Sequence, residues 1–191
     1  FLQPKVDMHR GTVVGAEALA RWRHPEQGVL APGAFLPQLE GTELEVPFAV
    51  LFGAALMQLP LEGEAKTVAL RVGLLSPQAA RAAERHTPTD ATEGFLIGLA
   101  TGNLDGRVPP DSLGRAIAAA YRTPAPSAEA QALLDANRRG EAILSAIDSI
   151  GRGVQGDLRG VTEGLSALRA AGLDGVARRT ALELMILERR G

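Results

Sequence analysis

No cysteine occurs among the 191 residues, which excludes disulfides, thiolate zinc sites and a cysteine nucleophile. Lysine is nearly absent as well. Lys5 and Lys66 are the two lysines, and the other basic residues are arginine. Aromatic residues amount to 4% of the chain, with one Trp and one Tyr, so any core must be built mainly from Leu, Ile, Val and Ala. The net charge is −2, which provides no bulk attraction for nucleic acid. The local pairs Arg138-Arg139, Arg178-Arg179 and Arg189-Arg190 read as solvated helix faces or as charges that suit a helix C-terminus. The apolar run Val46–Met57 has 12 residues, whereas a membrane span needs about 20. It reads as a buried helix that ends by Pro60. His9, His24 and His86 show no helical metal-ligand spacing, and His9 and His86 read as surface residues.

The residues present divide the chain into two parts, 1–75 and 76–191. Leu2–Asp7 and Thr12–Trp22, joined by a turn at Met8-His-Arg-Gly11, read as a β-hairpin, and Pro4 places the first strand at an edge or bulge. A polar turn at Glu26-Gln-Gly28 precedes a short helix starting near Pro32, since proline suits the first helical turn. Thr67–Gly73 reads as a further strand. Beyond residue 76 the sequence is rich in Ala, Leu, Arg and Gly at helical spacing. Ser76-Pro77 suggests a helix through about His86, Thr89 or Asp90 caps another through Thr101, and Pro109-Pro110-Asp111 opens a third that ends near Tyr121. Thr123-Pro-Ala-Pro-Ser127 has linker character, and Ser127 can cap the long run that follows, with a break expected at Gly140. The last two helices, roughly 156–171 and 174–189, form an antiparallel hairpin about Gly172. The fold class is therefore α+β, mostly α, and no fixed-period repeat marks a solenoid.

One stretch is more specific than these patterns. Leu2-Gln-Pro-Lys-Val-Asp7, then Thr12-Val-Val-Gly-Ala-Glu-Ala-Leu-Ala-Arg-Trp22, His24-Pro25, Pro32 and Phe35-Leu-Pro-Gln-Leu-Glu40 resemble, in order and spacing, the opening of the EAL-type cyclic di-GMP phosphodiesterases. The resemblance covers residues 1 to about 59 and implies the start of a variant eight-stranded α/β barrel, whose sites lie at the C-terminal strand ends. It implies Glu17 as a ligand of Mg²⁺ or Mn²⁺, Gln3 as a hydrogen-bonding partner of substrate, Arg21 as a phosphate contact, and Leu19 and Pro32 as the lining of a nucleotide pocket. On the residues alone, Arg21-Trp22-Arg23 reads instead as a strand end packed under its neighbours.

The same family also uses an asparagine on the next strand, a further glutamate, an Asp-Asp-Phe-Gly type motif and a lysine. Here an Asp-Asp pair is missing, no lysine follows Lys66, and Arg71 falls at the asparagine position if Thr67–Gly73 is aligned as that strand. Phosphodiester hydrolysis on metal ions needs several converging carboxylates and a group that activates water. A complete barrel also takes about 250 residues. The chain begins inside the first motif without Met, which suggests a piece of a longer protein. Three readings follow: a truncated or degenerate cyclic di-GMP signalling module without hydrolysis, a helical interaction scaffold, and an active phosphodiesterase completed by another chain. Partners would be cyclic di-GMP, a protein or a second copy covering the open sheet edge, with no nucleic acid or membrane span. A cytoplasmic location is expected, and Mg²⁺ or Mn²⁺ is expected only if family activity remains.

Overall fold

A computed structural model describes the backbone of residues 2–187 except 8, 11, 19, 20, 40, 41, 57, 58, 60 and 85, and the side chains of these apart from 2–6, 13–18, 54, 82 and 154. The chain starts with two antiparallel hairpins. Strands β1 (Leu2–Asp7) and β2 (Thr12–Ala18) pair with Leu2 opposite Ala18, and the register shifts between Lys5 and Val6. That bulge, and the edge position of both strands, accommodates Pro4, which cannot donate to a ladder. The Asp7 carboxylate accepts from the backbone N–H groups of His9, at 2.8 Å, and Arg10, at 3.2 Å, as in an Asx turn.

The second hairpin has no counterpart in the sequence reading beyond its turn. Strands β3 (Trp22–His24) and β4 (Gly28–Leu30) pair antiparallel. Nδ1 of His24 accepts from the N–H groups of Glu26 and Gln27, both at 3.2 Å. Gly28 takes φ +74°, a left-handed value that a Cβ would disfavour. These four are the strands among the described residues, and they form two separate two-stranded sheets. No barrel is closed among them.

Ten helices follow among the described residues: α1 (Pro32–Leu39), α2 (Glu45–Leu56), α3 (Gly63–Leu74), α4 (Ala79–Ala83), α5 (Ala91–Thr101), α6 (Ser112–Arg122), α7 (Ala128–Asp135), α8 (Arg139–Val154), α9 (Leu158–Ala170) and α10 (Asp174–Leu187). The expected strand at Thr67–Gly73 is a correction: these residues belong to α3. Val68, Ala69, Leu70, Val72, Gly73 and Leu74 are buried there. A strand at this place would find no described sheet to pair with, and buried backbone N–H and C=O groups must be satisfied. A helix satisfies them internally. The expectation that the run 46–57 is a buried helix is corrected in its burial. In α2, Ala49 and Leu56 are buried, whereas Val50, Leu51 and Phe52 are exposed.

Several helix starts follow their own side chains. The carboxylate of Asp90 accepts from Glu93 N–H, that of Asp111 from Gly114 N–H, and that of Asp157 from Gly160 N–H; the Ser127 hydroxyl accepts from Ala130 N–H. Each satisfies one of the donors that a first turn leaves unpaired. Ser76 does not act this way. Its hydroxyl is buried without a hydrogen-bond partner, and the helix after it is only the five residues of α4. The expected break at Gly140 is also corrected, since the chain turns at Asn137, φ +58°. The N–H of Arg138 donates to Leu133 O and that of Asn137 to Leu134 O, a Schellman ending, and Gly140 lies inside α8. His86 is not on the surface. Its side chain is 14% exposed and its Nε2 lies 3.6 Å from a Glu93 carboxylate oxygen.

Buried side chains from α1 through α10 join one core, running from Phe35 to Ile186. The C-terminal helices are not a simple stack of neighbours, because α9 packs on α6, α8 and α10 together. The α9–α10 turn contains Gly172 at φ +77°, where Gly172 N–H donates to Arg169 O and Leu173 N–H to Leu168 O.

Arg169 joins α9 to the end of α6. Its guanidinium donates to Ala120 O at 2.7 Å and Tyr121 O at 3.2 Å, pairs with Asp174 at 3.0 Å and lies 4.7 Å from the Tyr121 ring centre. Burial pushes the Tyr121 phenol pKa up, while Arg169 pulls it down. Arg169→Met keeps the apolar stem and removes the donors. We expect it to lower stability by about 2 kcal/mol, the scale of charged hydrogen bonds whose acceptors are left buried, measured as a shift of the urea midpoint.

Candidate functional site

Residues proposed from the sequence occupy three different places. Gln3 on β1 and Glu17 on β2 are register partners, directly opposite in the ladder. Leu19 lies outside the described residues. Pro32 is buried in the first turn of α1. Arg21 is exposed, immediately before β3, and lines the cleft described next.

That cleft, of about 420 Å³, lies among Arg21 and Trp22, the C-terminal half of α1, and α2; its walls include Phe35, Gln38, Thr42, Leu44, Phe48 and Phe52. The aromatic rings touch in series. Trp22 meets Phe35 edge-on at 6.4 Å between centroids, Phe35 meets Phe48 at 5.8 Å, and Phe48 meets Phe52 at 4.9 Å. Trp22 also packs edge-on against His24 at 4.9 Å. The outer members, Trp22 at 39% and Phe52 at 41%, remain exposed, so ring surface is left for a ligand. Apolar walls with a few polar groups in a cleft of this size are the usual make-up of a small-molecule site.

Leu44, Phe48 and Phe52 were missed as site residues, although their spacing of four puts them on one helical face. The run around them is apolar on every side, so the pattern did not distinguish the face turned to the core from the face turned to the cleft.

A hard divalent cation takes six or more oxygen ligands, some from water. Among the described residues no three of His, Asp or Glu form a group able to hold a metal ion. The side chain of Glu17, the ligand that the resemblance implies, lies outside the described residues. No helix among the described residues is long and apolar enough to cross a membrane.

The EAL domain family matches residues 1–75. A cyclic di-GMP phosphodiesterase of Pseudomonas aeruginosa is 36% identical over 72 residues, 38% of this chain and 12% of that protein. From the same organism, the cyclic di-GMP phosphodiesterase RocR is 52% identical over 40 residues, 21% of this chain and 10% of its own length. The bifunctional diguanylate cyclase/cyclic di-GMP phosphodiesterase MucR, again of P. aeruginosa, is 52% identical over 44 residues, 23% of this chain and 6% of its own length. The chain thus spans about a tenth of these relatives. No solved structure matches it. Residues 1–75 are a partial EAL-domain segment.

Proposed function

We propose that this chain is a cyclic di-GMP signalling module of the EAL type that takes up the nucleotide without hydrolysing it. The observation that carries the reading is Arg21 at an aromatic-lined cleft. A planar guanidinium suits a phosphate, and half-exposed rings such as Trp22 and Phe52 offer stacking faces worth about 1–3 kcal/mol per base. Support for the absence of hydrolysis comes from the sequence, which has no Asp-Asp pair and no lysine after Lys66. If Thr67–Gly73 is aligned with the family's next strand, its helical form and Arg71 at the asparagine position support the same reading. Gln3 opposite Glu17 is the remnant of the metal-binding and substrate-binding end of the site. A second reading, a helical interaction scaffold, is favoured by the single core that runs from α1 to α10.

Trp22 is the chain's one tryptophan and lines the cleft, so its fluorescence reports occupancy directly. Titration with cyclic di-GMP is expected to change that signal, and Arg21→Ala is expected to weaken binding about tenfold or more, the equivalent of one charged hydrogen bond. An unchanged signal up to high micromolar nucleotide would favour the scaffold. Turnover in Mg²⁺ or Mn²⁺ that disappears in Glu17→Gln would overturn the noncatalytic reading.

A further inference from the structure

Helix α8 carries an exposed stripe that nothing else in the described chain covers. Ala142, Ala146, Ser149 and Ile150 face the core. On the opposite side lie Gly140, Glu141, Leu144, Ile147, Asp148, Gly151 and Arg152, all exposed. Leu144 is 67% and Ile147 57% exposed, unusual for large aliphatic residues in mid-helix. A Cβ added at Gly140 or Gly151 would meet nothing within 4 Å, so packing within the chain does not call for glycine at either place. Glycine inside a helix costs about 1 kcal/mol relative to alanine.

The stripe reads the same in both directions: Gly140, three residues, Leu144, two residues, Ile147, three residues, Gly151. Turned end for end about the midpoint between Leu144 and Ile147, a second α8 places its Ile147 opposite Leu144 and its Gly151 opposite Gly140. Side chains then meet in the middle, and the backbones approach at both ends where no Cβ intervenes. The charges agree with the same orientation. Arg138 pairs with Glu141 and Arg152 with Asp148 along the helix. In the antiparallel arrangement Glu141 lies only two residues, about 3 Å along the axis, from Arg152 of the second copy. A parallel arrangement would set Glu141 on Glu141 and Arg152 on Arg152. Beside the stripe, a groove of about 680 Å³ between α7 and α8 is walled by Glu129, Arg138, Glu141, Asp148 and Arg152 as well as by Leu133 and Leu144, so charged groups border the apolar contact.

From this palindromic pattern we propose that α8 is a self-association face, joining two copies of the chain in an antiparallel helix pair with Leu144 of each against Ile147 of the other. Such a two-fold contact is isologous, the commonest form of homodimer. A single helix pair buries less than a standard interface, so the dimer is weak and concentration-dependent.

The test uses the full 191-residue chain. Sedimentation equilibrium from micromolar to millimolar concentration should show a monomer–dimer equilibrium, and Leu144→Glu should weaken it at least tenfold without changing the helical circular dichroism. Register is read by cross-linking, made simple by the absence of native cysteine. Equimolar chains carrying Leu144→Cys and Ile147→Cys should, under mild oxidation, give the mixed disulfide well beyond the twofold excess over either symmetric one that random pairing produces. A wild-type monomer throughout, a dimer unaffected by Leu144→Glu, or a mixed disulfide at or below the random twofold level would each overturn the proposal.

Discussion

Gly164→Val is expected to be among the most damaging single substitutions in this chain, lowering stability by about 3 kcal/mol, the upper part of the range for forcing atoms into a packed interior. The reason lies in how α8 crosses α9. A Cβ at Gly164 would sit 2.6 Å from the backbone oxygen of Ala146 and 2.6 Å from a side-chain carbon of Ile150; one at Gly160 would sit 2.5 Å from Ser149 O. From the other helix, a Cβ at Gly153 would sit 2.9 Å from Val161 N. The two helices thus touch backbone to backbone along one side, and no rotamer change relieves a clash with a main-chain oxygen. Urea denaturation followed by circular dichroism should show a midpoint lower by about 1–3 M, given slopes of about 1–3 kcal/mol per molar. Gly175→Ala, at a site with nothing within 4 Å, is the control and should be neutral or slightly stabilising. Equal effects at the two glycines would show that the crossing is not in close contact.

Phe95→Ala is expected to cost about 3–5 kcal/mol, as for other buried phenylalanines. Phe95 is wholly buried in α5, the helix that packs on α3 and α4 on one side and on α10 on the other. It therefore belongs to the part of the core that links the N-terminal helices to the C-terminal ones. Loss of its ring should shift two signals together: the far-ultraviolet dichroism, dominated by α5–α10, and the fluorescence of Trp22. Coincident transitions are the mark of one cooperative unit. If only the dichroism moved, the continuous core would be two cores in practice.

Some helix starts were legible in the sequence because each depends on a residue and its neighbours within one turn. Asp90, Asp111 and Ser127 could be recognised without knowing what they pack against. The hairpin about Gly172 and the bulge near Pro4 were legible for the same reason, being demands of the local backbone. What was not legible depended on distant partners. Val68, Leu70 and Val72 alternate as a strand would, and the lack of a sheet beside them among the described residues makes a helix the better solution. Strands β3 and β4 are three residues each, too short to show a period. His86 looked like a surface residue because nothing in its neighbours announces that Glu93 folds back over it. Of the candidate site, Glu17, Gln3 and Arg21 were legible only through the EAL resemblance, whereas Phe48 and Phe52 were hidden in a run with no polar side to orient it.

The two-stranded form of the β1–β2 hairpin has a consequence in time. A hairpin closes in microseconds, whereas ribosomes add roughly 5–20 residues per second. Within the chain described, the hairpin leaves the ribosome seconds before α3 to α5, which complete the core that α1 and α2 join. During that interval, among the described residues, each strand keeps one unpaired edge, the surface on which nascent chains mispair. The bulge between Lys5 and Val6, together with a proline that cannot donate to a ladder, makes β1 a poor template for such pairing. The irregularity in the hairpin therefore guards this stretch against mispairing before the core described above has formed.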